Sequence, residues 1–282
     1  MGFRRMIRPV LTALAGLVAC LVLVAGTAGA ASALPRAHGH VVHIVKPGAQ
    51  ANASKSSNWF GYNQGTLEQG GTLFHSIAGD WRVPKATQHV RGRAEASSTW
   101  IGIGGGCVDA GCNVGDATLV QTGTEQDVSK SGKASYSAWW EVLPGPALTI
   151  SKLRIRPRDH MRAHITETVK NSNVWRIKLR NLTRNQTFKT KIPYTSTHAT
   201  AEWIQETPVI IGANAGFADL PNLSRNTFDR ARVNGRAAGL KSSERVLLTS
   251  GKNDKVIGTP SAPDRQHDGF ALCSWATKCP AP

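Results

Sequence analysis

Glu202 stands out in the segment THATAEWIQE, residues 197–206, which otherwise has the pattern of a half-buried strand. Because side chains alternate between the two faces of a strand, Ala201, Trp203 and Gln205 are expected on one face. Glu202 then shares the other face with Ile204. A carboxylate there is either solvated at the sheet surface, which is the common state of a glutamate, or held in a groove, where it could transfer protons.

Other residues that could do chemistry form weaker patterns. His160 and His164 in DHMRAH share one face of a strand or a helix, but no third ligand and no HExxH pattern lies near them. The run GIGGG, residues 102–106, lacks the spacing of a dinucleotide site and is predicted to be a turn. No GxSxG sequence is present, which disfavours a serine hydrolase. The sequence therefore predicts no metal and no other cofactor.

Four cysteines follow the N-terminal apolar segment: Cys107, Cys112, Cys273 and Cys279. An even number in an exported chain indicates two disulfides. Proximity in the sequence favours the pairs Cys107–Cys112 and Cys273–Cys279, although three connectivities are formally possible. Neither spacing is standard for zinc, so a structural role is predicted.

Residues 1–30 have the pattern of a secretory signal peptide: a basic start, an apolar run and small residues at the end. Cleavage is predicted after Ala30 or Ala33. The run LVAC, ending at Cys20, resembles a lipoprotein box, and the apolar run approaches the roughly 20 residues that span a bilayer. A lipoprotein and an uncleaved membrane anchor are therefore the alternatives to secretion. Residues 31–54 are predicted to be a flexible leader or a short pro-segment.

The chain is strongly basic, with a formal net charge of +16. A surplus of this size favours polyanionic surroundings such as envelope polymers, through long-range attraction. We do not expect nucleic acid to be the partner, because the basic stretches lack the interleaved aromatic residues of a base-stacking surface.

From residue 57 onward, short β-rich runs alternate with Gly, Asn, Pro and Ser. In the clearest hairpin, Trp175, Ile177 and Leu179 alternate with basic residues, and a turn around residues 183–186 leads into a return strand. This alternation predicts one buried face and one cationic, solvated face. The runs are HSIAGDWRVP, SSTWIGIGG, ATLVQTGTEQ, ASYSAWWEVLP, LTISKLRIRP, MRAHITETV, NVWRIKLRNLTRNQTFKTKIP and ATAEWIQETPVI. Together they predict a single all-β sandwich or barrel domain over residues 55–282.

In order and approximate spacing, seven segments resemble the glutamic peptidases of the eqolisin family. They are SSNWFGY (56–62), WRVP (81–84), TWIGIGG (99–105), TLVQTG (118–123), YSAWWEVLP (136–144), NLTRNQ (181–186) and AEWIQE (201–206). The succession of LVQTG, AWWE and AEWI is specific evidence for the resemblance, whereas W-x-V-P alone is weak evidence. The resemblance, to a secreted bacterial member, implies a seven-stranded antiparallel β-sandwich of jelly-roll (concanavalin-like) type with the substrate cleft on its concave face. It also implies Gln121 and Glu202 as the catalytic pair.

The implied reaction is hydrolysis of a peptide bond by a held water, without a metal. Glu202 would take a proton from the water and pass it to the leaving nitrogen. The amide of Gln121 does not titrate, but it donates and accepts hydrogen bonds and so could orient the water and stabilise the oxyanion. We expect the two residues on neighbouring strands, with both side chains inward. The resemblance further implies an acidic optimum, so we predict the strongest activity below neutral pH.

The resemblance also places Glu141, in AWWEVLP, near the cleft as a partner of Gln121 or as a subsite wall. Four tryptophans are candidates for the cleft lining, with core packing as the alternative for each: Trp59, Trp100, Trp139 and Trp140. Trp139 and Trp140 point to opposite faces, so one of the two would line the cleft. Gly104 departs from the family pattern, because relatives commonly carry an acid there in WVGIDG.

Two other functions remain open. A lectin-like or envelope-polymer-binding β-sandwich without catalysis would use the same aromatic residues. Glycoside hydrolysis by Glu141 and Glu202 would need carboxyl groups roughly 5–5.5 Å or 6.5–9.5 Å apart. The leading prediction is a secreted, monomeric endopeptidase that acts on polypeptide substrates.

Overall fold

The computed structural model describes residues 36–37, 53–210, 216–250 and 254–282. The predicted signal peptide lies outside these residues, as does the predicted leader apart from residues 36–37 and 53–54. The described residues belong to one compact unit, Leu34–Pro282. Within the described ranges, no helix has the length and apolar character needed to span a bilayer.

The described chain is almost entirely β-structure. Its first strands are β1 (Arg36–Ala37), β2 (Ala53–Ser56), β3 (Trp59–Gly65), β4 (Ser76–Arg82), β5 (Ala86–Thr87), β6 (Glu95–Gly104), β7 (Leu119–Val128), β8 (Ala134–Val142), β9 (Leu148–Thr149), β10 (His160–Glu167) and β11 (Val174–Asn181). They are followed by β12 (Gln186–Pro193), β13 (Thr200–Glu206), β14 (Val209–Ile210), β15 (Gly216–Phe217), β16 (Asn222–Leu223), β17 (Asn226–Val233) and β18 (Arg236–Ala237). A 3-10 helix, η1 (Ser242–Glu244), precedes β19 (Arg245–Thr249), β20 (Val256–Pro260) and β21 (Phe270–Ser274).

One curled sheet of sixteen strands contains most of these elements. Its order is β12-β11-β10-β4-β17-β21-β20-β19-β3-β13-β6-β7-β8-β9, with β18 paired to β17 and β2 to β19. All its pairings are antiparallel except β2 with β19. The half containing β4 and β10 packs on the half containing β6 and β7, which makes two layers. The predicted antiparallel β-sandwich is confirmed, with more strands than the seven that the resemblance implies.

The main core lies between the two layers and explains why β13 is held firmly. Trp203 of β13 is fully buried, and its indole nitrogen donates to the Ala78 carbonyl of β4 over 2.9 Å. The Trp81 indole of β4 donates in the other direction, to the Thr124 hydroxyl of β7 over 3.1 Å. These two bonds satisfy the polar ends of large apolar side chains and join the layers.

Most of the predicted elements are present. The β11–β12 hairpin has its buried and its basic face, and the disulfides join Cys107 to Cys112 and Cys273 to Cys279, as sequence proximity favours. The run LTISKLRIRP is an exception, because only Leu148–Thr149 of it is a strand. Leu153 and Ile155 are buried nevertheless, so this segment packs its apolar side chains without a ladder partner.

Candidate active site

A row of polar residues crosses five strands at one level of the sheet. Glu202 on β13 is paired with Asn63 on β3 and with Gly102 on β6. Gly102 is paired with Gln121 on β7, and Gln121 with Glu141 on β8. Because directly paired residues project to the same face, these five positions line one side of the sheet. The neighbouring positions 201 and 203 project into the main core, so the row faces away from that core.

The carboxyl group of Glu202 is fully buried, and neither of its oxygens has a hydrogen-bond partner among the described residues. Burial raises the pKa of Glu202 well above its ordinary value of 4.5. The Thr200 hydroxyl, two residues away on the same face, acts to lower the pKa, while the negative charge of Asp116 acts to raise it. A buried and unpaired carboxyl group is costly to a fold, and such groups concentrate where proton transfer occurs.

Gln121 is fully buried and held from one side. Its amide nitrogen donates to Oε2 of Glu141 over 2.8 Å. Its amide oxygen, Oε1, is buried and has no partner among the described residues. Since an amide nitrogen has two hydrogens, one N–H and the oxygen remain able to bond another group. Glu141 therefore orients Gln121 without using up its hydrogen-bonding capacity.

Glu202 and Gln121 lie on strands that flank β6, so the prediction of neighbouring strands is wrong. Their backbones are two strand spacings apart, about 9–10 Å. The residue between them is Gly102, which has no side chain. A Cβ atom at Gly102 would come within 3.2 Å of the Gln121 Cβ. Gly102 thus places no side chain of its own between the carboxyl and amide groups, and the Leu119 and Trp100 side chains approach it, 2.8 and 3.0 Å from where a Cβ atom would lie.

The loop that follows β6 closes over the Glu202 end of the row. A Cβ atom at Gly106 would lie 2.5 Å from Oε1 of Glu202 and would overlap Asn63 Oδ1, so only glycine permits this approach. Asn63 fixes the loop by donating to the Cys107 carbonyl over 2.9 Å and accepting from the Cys107 amide over 3.1 Å. The Cys107–Cys112 disulfide closes the same loop. The position of this loop therefore depends on Asn63 and on the glycine at 106, neither of which was predicted as a site residue from the sequence.

Gly104 also has a structural reason to be glycine. Its φ is +92°, a conformation that favours glycine, and a Cβ atom there would lie 2.0 Å from the Thr118 carbonyl oxygen. An acidic side chain is therefore not accommodated at this position. The nearby Asp116, whose charge acts on Glu202, accepts hydrogen bonds from the Thr118 amide and hydroxyl and from the Thr197 hydroxyl. The carboxylate close to Glu202 in this chain thus comes from the loop rather than from β6.

Apolar residues continue the same face beyond the polar row. Trp59 and Trp100 meet edge to face with ring centroids 4.9 Å apart, and Trp139 belongs to the same cluster. The Trp100 indole donates to the Glu206 carboxylate over 2.6 Å, and the Trp139 indole to the Ser98 hydroxyl over 3.0 Å. These bonds fix the orientation of Trp100 and Trp139, and Trp59 packs against Trp100. The remaining members of the cluster are Leu119, Ile204 and Val246.

Trp140 lies on the opposite face from Trp139 and packs, partly buried, against the main core. Trp59, Trp100, Trp139 and Glu141 thus share the side of Glu202 and Gln121, and Trp140 does not. Glu202 and Gln121 have no exposed surface in this structure.

The histidines form different groups from those considered in the sequence. His160 contacts Asp80 over 3.0 Å rather than pairing with His164. A separate cluster joins His75 and His198 to the buried carboxylate of Glu167, at 2.7 and 3.2 Å. This cluster has metal-ligating residue types, and it also receives two backbone amides from residues 171 and 173. Its members come from distant parts of the chain, so no sequence spacing pointed to it.

Comparisons with known proteins concern the family and the fold. A family model described as the Peptidase A4 family matches residues 57–267. Scytalido-glutamic peptidase with a transition state analog inhibitor is 19% identical, with a TM-score of 0.59, over 77% of this chain and 98% of that chain. Aspergilloglutamic peptidase from Aspergillus niger is 20% identical, with a TM-score of 0.51, over 64% of this chain and 99% of that chain.

A third solved structure, SCP-B of the eqolisin family with a tripeptide, is 19% identical with a TM-score of 0.55, over 77% of this chain and 98% of that chain. At these identities the structural likeness supports the sandwich fold alone. No curated protein sequence matches the chain.

Proposed function

Because the chain belongs to the Peptidase A4 family, we propose that its peptidase activity is carried by Glu202 and Gln121. The observation that supports this most strongly is the paired row Glu202–Gly102–Gln121 on one sheet face. It places a carboxyl group and an amide on either side of a residue without a side chain, where the proposed reaction would hold one water and a scissile carbonyl group. The unpaired atoms Glu202 Oε1 and Oε2 and Gln121 Oε1 are the groups that such a reaction needs.

In the proposed mechanism, the ionised Glu202 carboxylate takes a proton from the water while the water oxygen attacks the carbonyl carbon. Gln121 Oε1 accepts a hydrogen bond from that water. The N–H of Gln121 that is not bonded to Glu141 donates to the oxyanion of the tetrahedral intermediate. Glu202 then passes its proton to the leaving nitrogen as the C–N bond breaks. Glu141 acts as a positioning residue through its bond to the Gln121 amide.

The raised pKa of Glu202 affects the pH range of this mechanism. A general base must be ionised, so kcat/KM should rise with pH through the pKa of Glu202, which burial places above 4.5. We keep the proposal, taken from the resemblance, that activity is highest below neutral pH. It requires a second titration that lowers activity at higher pH. A profile that is flat from acid to alkaline pH would contradict the proposal.

The structure disfavours both rival functions. Glu141 and Glu202 are three strand spacings apart, about 14 Å between backbones, and the Gln121 side chain lies between them. The Glu141 carboxylate accepts a hydrogen bond from the Gln121 amide, so it is engaged by its neighbour rather than facing Glu202 across a sugar site. A lectin-like site needs exposed rings for sugar stacking, whereas Trp59, Trp100 and Trp139 are fully buried.

We further propose that the mature enzyme is secreted as a monomer and acts on polypeptides. The two disulfides fit an oxidising compartment. The sequence pattern of residues 1–30 supplies the export signal, with the lipoprotein and the membrane-anchored form as its alternatives.

The test uses the mature chain purified from culture medium and incubated with an unfolded protein substrate from acid to neutral pH. EDTA and pepstatin are present to exclude metallopeptidase and aspartic peptidase activity. We expect cleavage by the parent chain and a rate lower by at least about 10²-fold in Glu202→Gln and in Gln121→Ala. Asp229→Asn changes an exposed carboxylate on β17, outside the row of Glu202 and Gln121, and serves as the control that keeps activity. Full activity of either purified dyad variant would refute the assignment.

A further inference from the structure

The outer face of the β10–β11–β12 sheet carries a dense set of cations. The buried sides of these strands pack in the main core, and the alternate positions face outward. We call the outward set the basic face. It consists of Arg162 and His164 on β10, Arg176, Lys178 and Arg180 on β11, and Lys189 and Lys191 on β12.

The strand register places like charges directly opposite one another. Lys178 is paired with Lys189 on one side and with His164 on the other. Arg176 is paired with Lys191. Like charges at directly paired positions destabilise a sheet, so this arrangement works against folding. The crowding also affects His164, whose pKa is lowered first by burial and then by the charges of Lys178 and Arg176.

Internal carboxylates do not balance these charges. Arg162 is paired with Asp80, through two hydrogen bonds of 2.7 Å. In the part of the chain that the structure describes, no carboxylate lies within ion-pair distance of the three β11 cations or of the two β12 lysines. Five adjacent cations are therefore available to an external anion.

Grooves run along the basic face. One of about 720 Å³ is lined by the β10 and β11 cations together with Arg230 and Arg232 of β17, against the acids Asp80 and Asp268. A smaller one of about 270 Å³ is lined by Arg176 and Lys189. His164 and Lys178 line both grooves, so the two form one basic track across the strands.

We propose that the basic face binds a linear phosphodiester polymer without bases, of the poly(glycerol phosphate) type. Cations repeat at about 4.8 Å across the strands and about 6.6 Å along them, which suits an extended chain of regularly spaced anions. The outward positions of β10, β11 and β12 include no phenylalanine, tyrosine or tryptophan, so bases would find no stacking surface. A phosphodiester also stays ionised in acid, whereas a carboxylate polymer loses charge as the pH falls toward about 4.

The basic face and the candidate active site lie on opposite sides of the sandwich, with the main core between them. Binding of a polymer therefore leaves the side of Glu202 and Gln121 free. The polymer would hold the enzyme in an anionic matrix without occupying its active site.

The test is the affinity of the mature chain for fluorescently labelled poly(glycerol phosphate) at neutral pH, across a range of NaCl concentrations. In a plot of log K against log salt, each contact between a cation and a phosphate contributes about −0.7 to the slope. Five contacts therefore predict a slope of about −3.5. The variant K178E/K191E should reduce the magnitude of the slope by about 1.4 and weaken binding at low salt by about tenfold or more. Each new glutamate faces a cation, so the variant should unfold no more easily than the parent.

The control is K130E/K133E, which changes the net charge equally in the exposed turn between β7 and β8 and should keep the parent slope. An equal loss of binding in both variants would show that net charge alone is responsible and would overturn the site. An unchanged salt slope in K178E/K191E, or tighter binding of single-stranded DNA than of the base-free polymer, would also overturn the proposal. Peptidase activity is measured separately on each variant, so failure of the proposed dyad and failure of the polymer site are distinguishable.

Discussion

Replacing Glu202 with glutamine should make the protein inactive and, at neutral pH, more stable. The carboxyl group is fully buried, its oxygens have no hydrogen-bond partner among the described residues, and burial raises its pKa well above 4.5. A raised pKa in the folded state means that protonation favours folding. The contribution of Glu202 to the free energy of unfolding is thus fully present below about pH 4.5, and it is lost as the pH rises through the raised pKa of the folded state. Glutamine has nearly the same shape and does not titrate.

The size of the effect follows from linkage. Each pKa unit of elevation corresponds to about 1.4 kcal/mol. The free energy of unfolding of Glu202→Gln, minus that of the parent, should therefore grow by about 1.4 kcal/mol per pH unit above 4.5 and level off above the folded pKa. For a domain of this length, about 1.4 kcal/mol raises Tm by about 3–6 °C. Loss of the general base should lower kcat by about 10²–10⁴.

The assay is denaturant unfolding of parent and variant at a series of pH values from acid to neutral. Glu206→Gln is the matched control, because Glu206 lies on the same strand and the same face and is equally buried. Glu206 differs in accepting a hydrogen bond from the Trp100 indole, so comparing the two variants separates the loss of a bonded carboxyl group from the loss of Glu202. Parallel stability curves for the parent and Glu202→Gln would refute the claim that the folded protein disfavours the Glu202 carboxylate.

Three further substitutions test the surrounding structure. Gln121→Ala should lower kcat by about 10²–10³ with little change in KM, as expected for loss of an oxyanion donor; a loss confined to KM would contradict that role. Glu141→Gln should keep the fold and lower kcat less than Gln121→Ala does. The double variant should have nearly the kcat of Gln121→Ala, because Glu141 acts through the Gln121 amide. Glu167→Gln should destabilise by about 1.5–3 kcal/mol near neutral pH. Burial acts to raise the pKa of Glu167, but hydrogen bonds from His75 and two backbone amides and the charge of His198 hold it below 4.5. The loss of stability in the variant should therefore shrink as the pH falls through that lowered pKa, and denaturant unfolding at several pH values measures it.

Alternation along single strands was predictable from the sequence. It placed Glu202 and Trp203 on opposite faces of β13 and separated Trp139 from Trp140, because the side-chain period of a strand is two. Sequence proximity likewise predicted the disulfides, since residues five or six positions apart in a turn meet easily. Such local patterns need no knowledge of which strands pair.

Strand adjacency was not predictable from alternation. Gln121 and Glu202 were expected on neighbouring strands, but β6 lies between them, and the contribution of Gly102 depends on that register. Asn63 and Gly106 were missed for the same reason, because they meet Glu202 only through pairing and loop closure. The run LTISKLRIRP misled because buried leucine and isoleucine residues also occur in a loop without ladder partners.

The two faces of β13 explain how the fold tolerates Glu202. On one face, Trp203 is anchored in the main core, and burial of a side chain of that size stabilises by about 2–3 kcal/mol. Both edges of the strand are paired, with β3 and with β6, so the backbone cannot shift to solvate the carboxyl group. The cost of burial therefore falls on the Glu202 carboxyl group, whose pKa is raised and whose oxygens have no hydrogen-bond partner among the described residues. A strand that was free at one edge would relax toward water, and the raised pKa on which the proposed proton transfer depends would be lost.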